Sequence, residues 1–407
     1  MNILYISYDG MTDPLGQSQV LPYLKGLSKS GYKFHLISFE KSDRFKTHAS
    51  TIRNICKDAN IDWHPLSYTK RPPVLSTLWD ARKMKSLALK LHKNHRFELI
   101  HCRSYLSALV GLHFKHRLEV PFLFDMRGFW ADERVDGKIW DLKNPLYRTI
   151  YNFFKKKEKE FFRESDHIIS LTHTGKEEII GNICPDLSEQ KITVIPCCVD
   201  LELFNPEKIK SENQQQLKNK LGINKNEYII GYVGSIGTWY MLPEMLKQFK
   251  AIKKTTENVR LLFVTGEPKE TIYTEANKNG IQANDLIITS CLHKEVPLHI
   301  SVFNAGIFFI RPTYSKKASS PTKQGELMAM GIPLICNAGV GDTDKIVNNF
   351  NAGIVIDDLN NMHEKTIERM NQSFNKSKTM QGAREFYGLN EGTNRYLEVY
   401  DHLIQVN

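Results

Sequence analysis

The chain holds 407 residues, 41% of them hydrophobic and 25% charged, with a formal net charge of +10. That length allows two domains with a core each, no apolar run approaches the roughly 18 residues of a membrane span, and the N-terminus runs straight into a strand pattern without a signal peptide. Seven cysteines, odd in number and without C-x-x-C, point to reduced thiols in the cytosol and exclude a disulfide framework or zinc site. The positive surplus fits phosphate-bearing substrates and an anionic membrane surface better than nucleic acid, because no nucleic-acid motif or separate basic arm accompanies it.

In chain order, Asn2-Ile3-Leu4-Tyr5-Ile6-Ser7 is a β-rich run that stops at the turn-forming segment 8–16, which contains Asp9, Gly10, Pro14 and Gly16. A helical pattern over 17–30, begun by Gln17 and closed by Gly31, and a strand over 34–39 complete a βαβ unit. Such a unit implies parallel strands with a ligand site at their carboxyl ends. The loop is not G-x-G-x-x-G, so a dinucleotide fingerprint is not supported. Strand patterns recur at 99–101, 121–125, 167–171 and 192–195 with helical patterns between them, an open doubly wound sheet. Ligand residues belong just after such strands, and Asp125-Met126-Arg127-Gly128-Phe129-Trp130 follows one of them. A guanidinium there can hold phosphate bidentately, and a carboxylate can accept from a sugar or acceptor hydroxyl. The long helical pattern over 144–163 carries Lys155-Lys156-Lys157; it either lies on an anionic leaflet or packs into the core with a solvated basic face.

The polar run 208–220 is a surface segment where a second domain begins. A buried strand, 228–233, ends in Gly234-Ser235-Ile236-Gly237-Thr238-Trp239 and is followed by a helix over 242–254. Later strand patterns precede Thr265-Gly266, His293 and, after 307–310, Arg311. The stretch Ser320-Pro321-Thr322-Lys323-Gln324-Gly325-Glu326, running on to Gly331-Ile332-Pro333, predicts a helix of about three turns capped by Ser320 and ended by Gly331. Its free N–H groups and Lys323 favour phosphate. Glu326 lies on the same face and can accept both hydroxyls of a ribose. Asp342-Thr343-Asp344 looks like a metal-binding D-x-D, but it opens a helix after Gly339-Val340-Gly341, where N-capping explains it better. Residues 390–406 are helical in pattern.

Pro321-Thr322-Lys323-x-x-Glu326-x-x-Ala329-x-Gly331-x-Pro333 resembles the donor-binding helix of retaining GT-B glycosyltransferases of the bacterial polysaccharide type. Ile195-Pro196-Cys197-Cys198-Val199-Asp200 resembles that family's crossover between domains, with Cys197-Cys198 in place of Asn-Gly. The resemblance implies an α/β, GT-B architecture of two doubly wound Rossmann-like domains facing a central cleft. The acceptor-binding domain would span 1–196, with the terminal helix 390–407 packing back on it, and the donor-binding domain 197–389. It makes Glu326 the ribose ligand and places Gly16, Gly234, Ser235, Ser320, Thr322 and Lys323 around the donor diphosphate. Thr265 and Gly266 line the donor pocket, backbone near His293 reads the base, and Asp9, Gly10, Gln17 and Trp130 face the acceptor.

Four further positions depart from the family pattern. Ala318 stands where the first Glu of Glu-x7-Glu falls, Ser235 and Tyr240 where an Arg and a Lys neutralise the diphosphate, and Arg127 where a His contacts the transferred sugar. Lys323 and Arg311 are therefore expected to supply cations for the leaving group, and Arg127 or Asp125 to take the histidine's part. The implied activity is transfer of a sugar from a nucleoside diphosphate sugar to an acceptor hydroxyl with retention, in cell-surface polysaccharide or lipid-linked glycan synthesis. No metal or cofactor is expected. The expected partners are the nucleotide-sugar, a glycan or lipid-linked acceptor and an anionic membrane surface, with no nucleic acid, and the expected location is cytoplasmic, peripheral on the inner face of the membrane. A sugar-nucleotide 2-epimerase and a non-catalytic nucleotide-sugar-binding module share the architecture and remain rival classes.

Overall fold

Parallel strands organise the chain, which the computed structural model describes over residues 1–361 and 363–405. The first sheet comprises β1 (Asn2–Ser7), β2 (Lys33–Glu40), β3 (Ile61–Ser67), β4 (Leu99–Arg103), β5 (Phe122–Asp125), β6 (His167–Ser170) and β7 (Ile192–Val194). They lie in the order β3-β2-β1-β4-β5-β6-β7, every pair parallel. The second sheet comprises β8 (Tyr228–Val233), β9 (Val259–Val264), β10 (Leu286–Thr289), β11 (Ala305–Phe308), β12 (Leu334–Asn337) and β13 (Gly353–Ile356). Their order is β10-β9-β8-β11-β12-β13, again all parallel. Strands β4, β5, β11 and β12 are buried at every residue, as a sheet covered on both faces requires. Each sheet is doubly wound and changes direction beside its first strand, between β1 and β4 and between β8 and β11. Loops at the carboxyl ends of those strands are where such sheets hold ligands.

The chain divides into two compact units, 1–196 with the helix Leu389–Gln405, and 197–388. Tyr396 and Tyr400 of that helix are buried in the first unit; Tyr400 Oη lies 2.6 Å from His101 Nδ1. Val406 and Asn407, the end of the expected terminal helix, lie outside the described residues. The chain enters and leaves the second unit side by side, with the Val199 N–H donating to the Tyr387 carbonyl at 2.7 Å and Val199 bridging Gly388.

Several local expectations shift. The helix over 17–30 is two helices, Pro14–Gln19 and Leu21–Ser28, broken at Val20 (φ −129°) because Pro22 belongs in a first turn. β11 stops at Phe308 because the following residues pair with the glycine-rich loop instead. The Met241 N–H donates to Phe309 O at 2.9 Å and the Arg311 N–H to Trp239 O at 3.0 Å. The polar run 208–220 forms a turn and then the helix Ser211–Lys220.

The 144–163 helix is Pro145–Glu164, capped by Asn144, whose side chain accepts from the Leu146 N–H. Its Phe154, Phe161 and Phe162 are buried. Lys155 bonds to Asp132 and Glu158, and Lys157 to Glu160. These internal pairs match the core-packed alternative, and Lys156 and Lys159 remain exposed as its solvated basic face. Among the described residues no helix is long and apolar enough to cross a membrane, and all seven cysteines are free thiols.

Candidate functional site

In the second unit the predicted helix is Thr322–Ala329, about two turns rather than three. It is closed as expected: Gly331 sits at φ +68°, its N–H donating to Met328 O and the Ile332 N–H to Leu327 O, a Schellman pair. The start differs. Pro321 occupies the N-cap position, and the Ser320 hydroxyl accepts from the Cys197 N–H at 3.2 Å. Ser320 lies one residue too early to cap and instead fastens the crossover segment to the helix.

Lys323 in the first turn is 6% exposed. Its Nζ donates to Tyr232 Oη at 2.8 Å and lies 3.4 Å from the Tyr240 ring centroid and 4.0 Å from that of Tyr232. Burial pushes its pKa well below the ordinary lysine value, and Glu326 pulls partly against that. The ammonium is thus held by a phenol and two ring faces, with no carboxylate at ion-pair distance among the described residues. Tyr232 comes from the end of β8, and its hydroxyl donates to the Ser235 carbonyl. Gly234, between them, is at φ +106°; a Cβ there would meet Lys323 Nζ at an ordinary 3.5 Å, so the backbone angle, not space, selects glycine. The Ser235 side chain is exposed.

A second lysine, which sequence reasoning missed, stands at the same loop. Lys316, in the turn Tyr314–Ala318, is buried with Nζ 3.6 Å from the Trp239 ring centroid. Arg311, expected in that role, is exposed and meets Trp239 through its backbone N–H. Nothing local in the sequence marks Lys316, because its contact is set by the pairing of residues 239–241 with 309–311.

Glu326, one turn beyond Lys323, lies 3.7 Å by Oε1 from His293 Nε2. The interaction with Glu326 raises the His293 pKa against the opposing effect of burial. The His293 imidazole, not only its backbone as expected from sequence, thus stands beside Glu326. Thr265 follows β9, its N–H donating to Thr289 O at 2.8 Å and its Oγ1 accepting from the Glu267 N–H. Gly266 is exposed in open space, and Thr322 opens the helix. Asp342 makes no side-chain cap on the Thr343–Asn349 helix; Asp344 accepts from the Gly339 N–H at 3.3 Å instead. No group of three or more potential metal ligands exists among the described residues.

In the first unit the carboxyl ends of β1, β4 and β5 carry Asp9, Arg103 and Asp125. Asp125 is fully buried. Arg127 Nη1 is 3.7 Å from its Oδ1, and its Oδ2 faces Arg103 Nη1 at 3.7 Å and His101 Nε2 at 3.5 Å and accepts from Tyr396 Oη at 3.2 Å. Burial alone would raise this carboxyl; Arg127, His101 and Arg103 outweigh it and hold the pKa below the usual carboxylate value. Arg127 at φ +59° and Gly128 at φ +121° turn the loop after β5 sharply enough to keep the guanidinium beside Asp125. Arg103, His101 and Tyr396 were not singled out from sequence.

Asp9 is half exposed, 3.4 Å from Arg103 Nε. Gly10 and Gly16 pack together so tightly that a Cβ on Gly16 would sit 2.3 Å from Gly10 O, and Gln17 Nε2 donates to Thr12 O. The buried Glu40 anchors this loop by accepting from the Met11 and Thr12 N–H groups at 2.8 and 3.0 Å. Trp130 packs in an aromatic cluster with Trp140, Phe154 and Tyr105.

Residues 17–203 match the model of Glycosyltransferase Family 4 and residues 213–385 that of Glycosyl transferases group 1. The two doubly wound units have the GT-B fold, and the two matches, which together cover most of the chain, place it among these glycosyltransferase families. It is 25% identical over 272 residues to a D-inositol 3-phosphate glycosyltransferase of Segniliparus rotundus, covering 65% of this chain and 56% of that protein. The chain spans about half the length of the first curated relatives it matches. Its fold is similar to that of a sucrose-phosphate synthase from Thermosynechococcus elongatus, with TM-score 0.76, 16% identity and full coverage of both chains. It is also similar to Anabaena HepE in complex with UDP-glucose, with TM-score 0.69, 12% identity, 99% of this chain and 100% of that one.

Proposed function

We propose that the chain transfers a sugar from a nucleoside diphosphate sugar, with a UDP-sugar as the first candidate, to an acceptor hydroxyl with retention at the anomeric carbon. The product belongs to cell-surface polysaccharide or lipid-linked glycan synthesis on the cytoplasmic side of a membrane. One observation carries the reading: a buried ammonium, Lys323, held by aromatic faces at a glycine turn and a helix N-terminus, one turn before a carboxylate. A diphosphate supplies the negative charge that this ammonium lacks, and Glu326 takes the ribose hydroxyls. Breaking the glycosyl bond leaves charge on the β-phosphate, which Lys323, Lys316 and the helix N–H groups stabilise without reorganising. The departing phosphate accepts the acceptor's proton, so no protein base, metal or cofactor is required. Arg127 and Asp125, with Asp9, Gly10 and Gln17, serve the transferred sugar and acceptor. The relatives' names and the UDP-glucose complex of a similar fold support the assignment.

Calorimetric titration of UDP into the wild type, Lys323→Ala and Glu326→Ala tests it. Affinity should fall about 100-fold for the lysine variant, the scale of losing a desolvated charged contact, and roughly tenfold for the glutamate variant. Absence of nucleotide binding at millimolar levels overturns the reading. A purified protein that converts a UDP-sugar to its epimer without acceptor is a 2-epimerase instead. The anomeric configuration of the product, read by NMR, decides retention.

A further inference from the structure

Three large apolar side chains stand exposed together on the helix Leu75–His95: Leu75 at 64%, Leu78 at 62% and Trp79 at 59%. The helix already hides one face in the first unit, through Ser76, Asp80, Met84, Ala88 and Leu91. At 100° per residue Leu75 and Leu78 fall opposite that face. A groove of about 750 Å³ continues the apolar surface towards the neighbouring helix Ser104–Leu118, lined by Leu78, Leu89, Leu106, Leu109 and Val110, with Arg82 and Lys85 among its polar residues. Single exposed leucines are ordinary; a contiguous group beside an apolar groove marks a contact surface.

The charge around this surface has one sign. Residues 70–96 hold eight Lys and Arg and a single acid, Asp80, which is buried and bonded to Tyr8, Thr69 and Lys83. The helix Ser104–Leu118 has no acidic residue at all. Lys70, Arg71 and Arg82 are exposed. Apolar and tryptophan tips beside the cationic excess of these two helices match a layer that is hydrocarbon inside and phosphate outside.

We propose that this face docks on an anionic membrane leaflet. Leu75, Leu78 and Trp79 enter the headgroup–acyl boundary, while Lys70, Arg71, Arg82 and Lys85 meet lipid phosphates. On the transferase reading this would bring a lipid-linked acceptor to the first unit, but docking itself needs no nucleotide, so either idea can fail alone.

The test is sedimentation with vesicles of phosphatidylcholine alone or with about one third phosphatidylglycerol, at low and high salt. The wild type should partition at least about tenfold more strongly onto the anionic vesicles, with the advantage lost at high salt. Arg82→Ser with Lys85→Ser should cost about thirtyfold, the factor expected for two basic residues at the surface. Leu78→Ser with Trp79→Ser should abolish binding to both vesicle types, and Trp79→Phe should remove the vesicle-induced blue shift of tryptophan emission. These side chains lie outside the core, and each variant should keep the thermal shift given by UDP. Equal partition onto both vesicles, no partition, or a wild-type dimer that Leu78→Ser dissociates would overturn the proposal, the last by assigning the face to a second copy of the chain.

Discussion

Each unit buries cations beyond the carboxyl ends of its parallel strands, and the two treat them in opposite ways. Arg103 and Arg127 face a buried carboxylate, Asp125, whose other neighbours are His101 and Tyr396. Lys323 has a phenol and two aromatic rings and, among the described residues, no carboxylate at ion-pair distance. The first arrangement compensates its own charge; the second leaves an ammonium with proton affinity lowered by burial and with capacity for an incoming anion. Charge cancelled internally serves position and shape, whereas charge left uncancelled is the mark of a ligand site.

The strongest way to break this contrast is to delete the central charge on each side. Asp125→Ala leaves two buried guanidinium groups facing one another and should lower stability by about 3–5 kcal/mol in urea unfolding. Lys323→Met removes a desolvated charge and should leave the ligand-free protein as stable or more so. A comparable loss from both would show that the lysine is structural and erase the difference.

Proton linkage sharpens the same contrast. Burial, then the neighbouring cations, lowers His101, so its neutral form is favoured by folding and the stability it contributes is full above pH 6.5 and lost as the pH falls. His35, stacked on His64, is lowered by burial to about 4, so the acid limb should run from about pH 6.5 towards 4. Lys323 is lowered too, so the unfolded chain binds the extra proton and stability should rise with pH towards 10.5. Lys323→Met should remove that alkaline rise and leave the acid limb. A bound diphosphate restores the lysine's affinity for its proton. UDP binding should therefore take up a proton over the pH range in which the free lysine titrates, seen as a dependence of the calorimetric heat on buffer ionisation enthalpy, and the uptake should vanish in the variant.

Smaller effects follow from neutral partners. Tyr396→Phe removes one hydrogen bond to Asp125 and should cost about 1–2 kcal/mol, with Tyr400→Phe comparable through His101. Ser320→Ala should cost only about 0.5–1 kcal/mol, because it releases a single partly buried N–H. A capping serine would also fray the helix start, and circular dichroism should show no helix loss.

Much of this was legible from local pattern. The β1 unit, the glycine after β8 and the Lys323–Glu326 helix with its Gly331 stop each follow from contiguous residues whose spacing fixes their geometry. What escaped depends on residues far apart in the chain. Lys323 meets Tyr232 across 91 positions and Tyr396 meets Asp125 across 271, and no periodicity connects them. Lys316 was hidden because the strand expected to reach Ile310 ends early and pairs with the 239–241 loop. Ser320 was misjudged because proline at the next position moved the cap by one residue. The basic helix over 145–164 was open to two readings because sequence shows its lysines but not that Asp132 and Glu158 hold Lys155.

The joined threshold of the second unit, where Val199 pairs with Gly388, has a consequence for biosynthesis. Residues 197–388 form a self-closed insertion, so this part can complete its sheet while still tethered to the ribosome. The first unit cannot, since Tyr396 and Tyr400 follow the whole second unit in the chain, and the buried Asp125 and His101 wait for them. Of the two units, the one whose synthesis begins earlier is thus the one that matures later.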